Sequence, residues 1–423
     1  MSRVEHKIQK QFVEVQFSNI DDAFGMQNRL TEVFYDRIQP QIEVLFNALF
    51  GENYFAAVEH LEIDCGVLNT KNWEDEFTIE VIRKLKEKLI LVPKKEIDLR
   101  TNQQQLAEEA FFFFLEHGYL QWNYKIQSIN ELESLLLLND QFIQSLKKQI
   151  SDKKIAVKRL AYQFSERFVD AIIAAILKGK TSLVATIKKQ FKDFSSENED
   201  QAINDPRAIN AVLLKILTDE KTPFSIDSDI EFVIDRAVKL ISQSEESSQS
   251  NSKNIVTNEI YLNNAGLVLL HPFLPVLFEE LNLMSGTSWI SNASQNNAML
   301  VLEYLTTGNE EFQEFDLTLN KVLCGGDIEA VVFTDIELED NVKNECDLLL
   351  QTVIQHWSAL KNTSIEALRS TFLQRQGKLT QTDEGWLLVV EQKAYDVLID
   401  KLPWGFGTIK LPWMNGILHT EWC

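Results

Sequence analysis

"KLTQTDEGWLLVVEQ", residues 378–392, is where the hydrophobic period of this chain changes. Over long stretches before it, apolar residues recur at helical spacing. Here two β-prone runs flank Thr382-Asp383-Glu384-Gly385, which has the residue chemistry of a tight turn. The segment therefore predicts a β-hairpin near the end of a mostly helical chain. The fold class that follows is α+β, mainly helical, and not all-α.

Downstream of the hairpin, "AYDVLID" predicts a short helix leading into "LPWGFGTIKLPWM", residues 402–414. The tripeptide Leu-Pro-Trp occurs there twice, ending at Trp404 and Trp413, and Trp422 follows at the same nine-residue spacing. Pro403 and Pro412 end regular structure. Ile409 and Leu411 alternate with Lys410 as a short strand, and "GILHTEW" can pair with it across a turn at 414–416. Two roles suit such a tail. It closes the core of its domain, the expected role, or it presents Trp404, Phe406, Trp413 and Trp422 as partner-binding residues, since aromatic rings dominate binding hot spots.

Upstream, the C-terminal domain is assigned to 259–423. "NTSIEALRSTFLQRQG" predicts a helix with a capping box of Thr363 and Glu366 and with Gly377 past its end. "NECDLLLQTVIQHWSAL" and "NNAMLVLEYLTTG" are further helices, the second stopped by Gly308, and "NNAGLVLLHPFLPVLFEELNLM" is apolar with prolines at 272 and 275. Before them "SQSEESSQSNSKN", 242–254, has no apolar residue, so 242–258 is assigned as a polar linker.

Residues 93–241 form the helical middle. "LAEEAFFFFLEHGYLQW" is a helix stopped near Gly118, whose four consecutive Phe, 111–114, are assigned to core because they point all round the helix. "INELESLLLL" starts the next helix, "RLAYQFSERFVDAIIAAIL" (159–177) reads as one longer helix, and "PRAINAVLLKIL" and "DIEFVIDRAVKLI" follow. Residues 1–92 read as strand, helix, strand. Val13, Val15 and Phe17 alternate with polar residues, a helix interrupted at Pro40 follows, and Leu61, Ile63 and Cys65 alternate again up to Gly66.

Composition excludes several functions. The net charge of -22 opposes binding to nucleic acid. Residues 259–423 hold 9 basic and 23 acidic residues, so the acidity concentrates there. The most apolar run, "FVDAIIAAIL", is too short to span a bilayer, and no secretory leader is visible at the N-terminus. The four cysteines form no CxxC pair, and the six histidines are scattered. No nucleotide loop, nucleophile elbow or metalloprotease helix occurs. No catalytic, cofactor-binding or metal-binding residue is predicted, and the chain is read as no enzyme.

Several of these segments, in order, resemble the tape measure proteins of contractile injection systems, which are phage-tail-like particles. They are the N-terminal "HKIQKQFVEVQF", "QNRLTEVFYDRIQPQIEVLFNALF" and "VEHLEIDCGVL", then "FFFFLEHGYLQW" beside the family's FLxxGxLPWW, and "RLAYQFSE". The C-terminal set is "NNAGLVLLHPFLPVLFEELNLM", "LNKVLCG", "VIQHWSALKNTSIEALRSTFLQRQGKL", "GWLLVVEQKAYDVLIDKLPWGFGTIKLPWM" and "LHTEW". Leu120-Gln121-Trp122 departs from the family's Leu-Pro-Trp, and the middle is short for a ruler.

The resemblance implies a non-enzymatic assembly protein that helps to initiate or set inner tube length. Its implied partners are inner tube and baseplate hub proteins, or further copies of itself. It would be cytoplasmic during assembly and then lie inside the particle. A cytosolic chaperone or cargo adaptor for such a particle is the alternative.

Overall fold

Pro40 shapes the N-terminal part of the computed structural model. The structure describes residues 23–49, 61–68, 72–90, 99–121, 126–151, 153–178, 205–218 and 259–422, with shorter pieces between them. Helix α1 (Ala23–Val33) passes through a π-helical stretch, Phe34–Ile38, into α2 (Gln39–Leu49). Proline has no N–H and its ring collides with the carbonyl four residues earlier. The wider π turn, in which the Gln39 N–H reaches the Phe34 carbonyl, shifts the helix register just ahead of it. The interruption expected at Pro40 therefore takes the form of a π insertion, and the helix continues.

Ile38, Ile42 and Leu45 bury against Phe77, Leu85 and Leu89 of a further helix, α3 (Trp73–Ile90). Arg29 to Glu74 at 2.7 Å and Arg37 to Asp75 at 2.9 Å tie the rim. The second predicted strand keeps its alternation, with Leu61, Ile63 and Cys65 half-buried and Glu62 and Asp64 exposed, yet it joins no ladder. Side chains of α3 replace a partner strand: Lys84 Nζ donates to the Asp64 carbonyl at 2.5 Å, and Lys88 Nζ to that of Glu62. Of the first predicted strand, Val13 and Val15 are exposed and irregular, and its other residues lie outside those described. A two-residue ladder pairs β1 (Tyr54–Phe55) with β2 (Lys95–Glu96) instead.

The chain divides into two compact units, Met1–Gln103 and Gln104–Cys423. The boundary expected near 92 lies at 103, and the C-terminal region and the helical middle from Gln104 onward fall together, as one unit, within the second. Its helical half contains most of α4 (Leu99–His117), with α5 (Ile129–Leu135), α6 (Asp140–Ile150), α7 (Lys154–Gln163), α8 (Glu166–Ile176) and α9 (Pro206–Leu217). Ser128, Asn139, Ser165 and Asp205 cap α5, α6, α8 and α9 through side-chain oxygens. The run 159–177 is thus two helices. Ser165 caps the second, and the Glu133 carboxylate fixes that cap by accepting from its N–H at 2.5 Å and its hydroxyl at 2.7 Å. The four phenylalanines of α4 are core. Phe111 and Phe114 are fully buried and Phe112 packs beside them, while Phe113 turns to the adjoining core.

The C-terminal half starts at β3 (Ile260–Leu262), then a 3-10 segment, Ala265–Phe273, runs into α10 (Leu274–Glu280). A small ladder of β4 (Met284–Ser285) and β5 (Ser288–Trp289) leads to α11 (Asn292–Thr307), which is buried on all sides from Ala298 to Thr306. After it come α12 (Thr318–Leu323), α13 (Asp340–His356) and α14 (Ile365–Leu368), the last extended by a π turn, Arg369–Leu373. The cap of α14 is Ser364, not Thr363, and Gly377 opens a strand instead of closing the helix. Arg369, where the π turn begins, donates through its guanidinium to the Leu305 carbonyl, near the end of α11, and to Asp347.

The predicted hairpin is present as β6 (Gly377–Thr382) and β7 (Gly385–Val390), turning on Asp383-Glu384. With β8 (Thr408–Ile409) and β9 (Ile417–Trp422) it forms a five-stranded sheet of order β3-β6-β7-β9-β8. Thr408 pairs with His419 and Ile409 with Leu418, so the expected pairing with "GILHTEW" is present and antiparallel, but the strand ends at Ile409 and does not reach Leu411. Parallel pairing of β7 with β9, Trp386 opposite Leu418, makes the sheet mixed. Gly385 has φ +147°, and a β-carbon there would stand 2.2 Å from the Ile417 carbonyl oxygen, so only glycine lets β9 in. The fold is mainly helical α+β.

Candidate functional site

The tail rings are seated by their nitrogens. Trp404 Nε1 donates to the Leu269 carbonyl at 2.9 Å, and its ring stands edge-on to Phe273. Trp413 Nε1 donates to the Leu323 carbonyl at 2.8 Å, and its ring meets Phe278 and Trp289. Phe406 packs against Trp422, with centroids 5.6 Å apart. All four rings are half-buried against the C-terminal core. A bonded indole N–H at the edge of a core is the arrangement a closure element needs.

Trp422 is held by a clamp. Arg375, fully buried, makes two parallel bonds of 2.7 Å to the Asp396 carboxylate. The same carboxylate accepts from Trp422 Nε1 at 2.9 Å and from the Lys393 amide at 2.7 Å. Arg375 also lies over the faces of Trp422 and Tyr395. Burial pushes the Asp396 carboxyl up, but Arg375, the Lys393 amide and the indole outweigh it and hold the group below its ordinary value. Strand β9 is thereby tied to the 3-10 turn Ala394–Lys401.

A second lock joins the helical and C-terminal halves. Arg159 of α7, Glu314 and Lys321 of α12 are each fully buried. Arg159 Nε donates to Glu314 at 3.2 Å, Lys321 Nζ donates to Glu314 at 3.0 Å, and two cations therefore share one carboxylate. Backbone carbonyls take the remaining donors: Leu115 and Glu329 for Arg159, Ile328 for Lys321. Burial pushes the Lys321 ammonium down against the pull of Glu314. His117 adds a contact to Glu329 at 3.2 Å on the same seam. Gly118, at φ +77°, lies against this lock, and a β-carbon there would sit 2.6 Å from Arg159 Nη2.

Further stitches cross the seam along 332–335. Gln163 Nε2 donates to the Val332 carbonyl, the Phe333 ring meets Tyr162, and Arg207 pairs with Asp335. Sequence reading found the aromatic tail but none of these locks. A signal was available for the lock alone: Arg159 and Lys321 each interrupt a largely apolar run that must be interior, whereas Arg375 sits between two glutamines.

Chemically the arrangement holds a chain together. Among the described residues no group of three or more His, Cys, Asp or Glu is placed to hold a metal ion. No described helix is long and apolar enough to cross a membrane. Most of the lock and clamp residues fall in family-like stretches, Arg159 in "RLAYQFSE", Lys321 in "LNKVLCG" and Asp396 in the hairpin-to-tail segment, while Glu314 lies just before "LNKVLCG". The family model described as contractile injection system tape measure protein matches residues 5–422. The chain belongs to that family. No curated protein and no solved structure gives a match. Membership gives this tape measure protein family chain a structural role in assembly.

Proposed function

We propose that this chain helps to initiate or set the inner tube length of a contractile injection particle, acting with tube and baseplate proteins as a folded anchor. The observation that carries this reading is the family match over residues 5–422. Two features shape it. The longest helix among the described residues, Leu99–His117, has 19 residues and measures about 28 Å, and the described helices after it pack side by side, so length is not where its helical part excels. The acidic residues concentrated in 259–423 suit a basic protein surface, because complementary charge steers docking. In this reading Trp404, Phe406, Trp413 and Trp422 serve partners indirectly, by fixing the tail that shapes the surface. The protein is made in the cytoplasm and enters the particle there.

Quantitative mass spectrometry of purified particles tests the reading. A fixed, low copy number per particle is expected, together with loss of full-length tubes when the gene is deleted. The same compact packing favours a second reading, a chaperone or cargo adaptor that loads the particle and leaves. Absence from particles whose assembly nevertheless requires the protein would select it.

A further inference from the structure

Glu303 lies on α11, only 7% exposed, and among the described residues no cation bonds to it. Its Oε2 accepts from Asn264 Nδ2 at 3.1 Å and from Asn320 Nδ2 at 3.2 Å, two neutral amides. The charged groups on the elements packed around α11 are engaged elsewhere. Lys321 of α12 donates to Glu314 and the Ile328 carbonyl. Arg369 donates to the Tyr304 and Leu305 carbonyls and to Asp347. Lys343 of α13 pairs with Glu310 and Asp340, and His271 of the 3-10 segment meets the Val268 carbonyl. Glu345 and Cys346 of α13 bring no positive charge, and the ionisable neighbour that does act on Glu303 is another acid, Asp316. The surroundings are also short of donors: Asn264 Oδ1 is buried with no partner.

An ionised carboxylate enclosed this way would carry a large desolvation cost with no countercharge, and such a group keeps its proton instead. We propose that Glu303 is a neutral carboxylic acid in the folded protein, which makes the C-terminal core a proton-linked element that tightens on mild acidification and loosens as pH rises. Burial, and then the Asp316 charge, push the Glu303 carboxyl up to about 7, and burial pushes Asp316 up to about 6. Between the ordinary carboxylate value of 4.5 and about 7, the folded protein therefore holds a proton that the unfolded chain releases. Folding is favoured at the acid end of that window and weakened at its alkaline end.

The test compares thermal unfolding of the full chain and Glu303→Gln from pH 5 to pH 8. The wild type is expected to melt several degrees lower at pH 8 than at pH 5.5. The variant, which keeps the shape and cannot ionise, should have a distinctly shallower slope and melt above the wild type at pH 8. Equal slopes, or a variant that melts below the wild type at pH 8, would overturn the proposal. Comparing slopes matters because a chain of net charge -22 gains some stability on acidification from reduced self-repulsion alone. A second measurement needs no variant. Carboxyl-labelled glutamate in the wild type should give one carbonyl resonance that titrates near neutrality, far from the remaining Glu signals. Its absence over pH 5 to 8 would refute the assignment even if Glu303→Gln failed to fold.

Discussion

Glu314 carries one negative charge between two buried cations, and its removal should cost far more than a surface charge would. Glu314→Ala is expected to destabilise the second unit by about 3–5 kcal/mol in urea unfolding, because Arg159 and Lys321 are left buried and uncompensated. Replacing Arg159, Glu314 and Lys321 together with apolar residues of similar volume should cost less than Glu314→Ala alone. A triple variant weaker than the single would show that the ion set contributes net stability. At the clamp, the Asp396 carboxyl is held below its ordinary value of 3.8. Its contribution is therefore complete above about pH 5, shrinks as pH falls through the unfolded value, and is lost below the folded one. Asp396→Asn should flatten the acid limb of the stability curve while lowering stability at neutral pH, and acid titration followed by circular dichroism measures both. In the sequence only Arg159, Lys321 and Asp396 stand out as charges among apolar residues; Arg375 lies between two glutamines and Glu314 in an acidic stretch. Which charge meets which depends on the long-range fold: Arg159 and Glu314 are 155 positions apart.

Elements whose information is local were the legible ones. Periodicity located most of the helices, and turn chemistry placed the hairpin at Asp383-Glu384. Gly308, at φ +74°, ends its helix as expected. Three elements escaped for physical reasons. The break at Phe164-Ser165 is invisible to periodicity because both flanking helices are apolar and nearly in phase; a carboxylate from another helix fixes it. The N-terminal segment at 61–65 reads as a strand because alternation reports burial on one side, whereas a strand also needs a ladder, and lysine side chains satisfy its carbonyls instead. Parallel pairing of β7 with β9 is a non-local choice that depends on Gly385 admitting Ile417. The aromatic tail is the element where function and stability meet. Trp404→Ala and Trp413→Ala should each cost about 2–4 kcal/mol, towards the low side of full burial because the rings are half-exposed. Calorimetry of each variant, with its recovery in purified particles, checks this. Lost particle incorporation with unchanged melting would make the rings an interface in their own right, and unchanged behaviour in both assays would remove them from either role.

At the scale of the whole molecule, length separates an anchor from a ruler. A ruler that measures by contour must change the tube when residues are removed, by about 1.5 Å per residue if helical. The helical middle of this chain instead folds back on itself: α7, α8 and α9 share a core with α4, and the Arg159 lock ties that core to the C-terminal half. A cut that removes no described residue keeps every described side chain in the protein. Deleting 195–204 is the suitable cut because it spares Asp205, whose carboxylate caps α9 by accepting the Arg207 amide at 2.9 Å. A folded anchor predicts an unchanged tube-length distribution in electron micrographs of the deletion strain, with any loss confined to particle yield. A contour ruler predicts tubes shorter by about 15 Å for the ten residues removed. The deletion should be measured beside a longer insertion at the same point. Parallel shifts in opposite directions would show that this chain measures by contour after all.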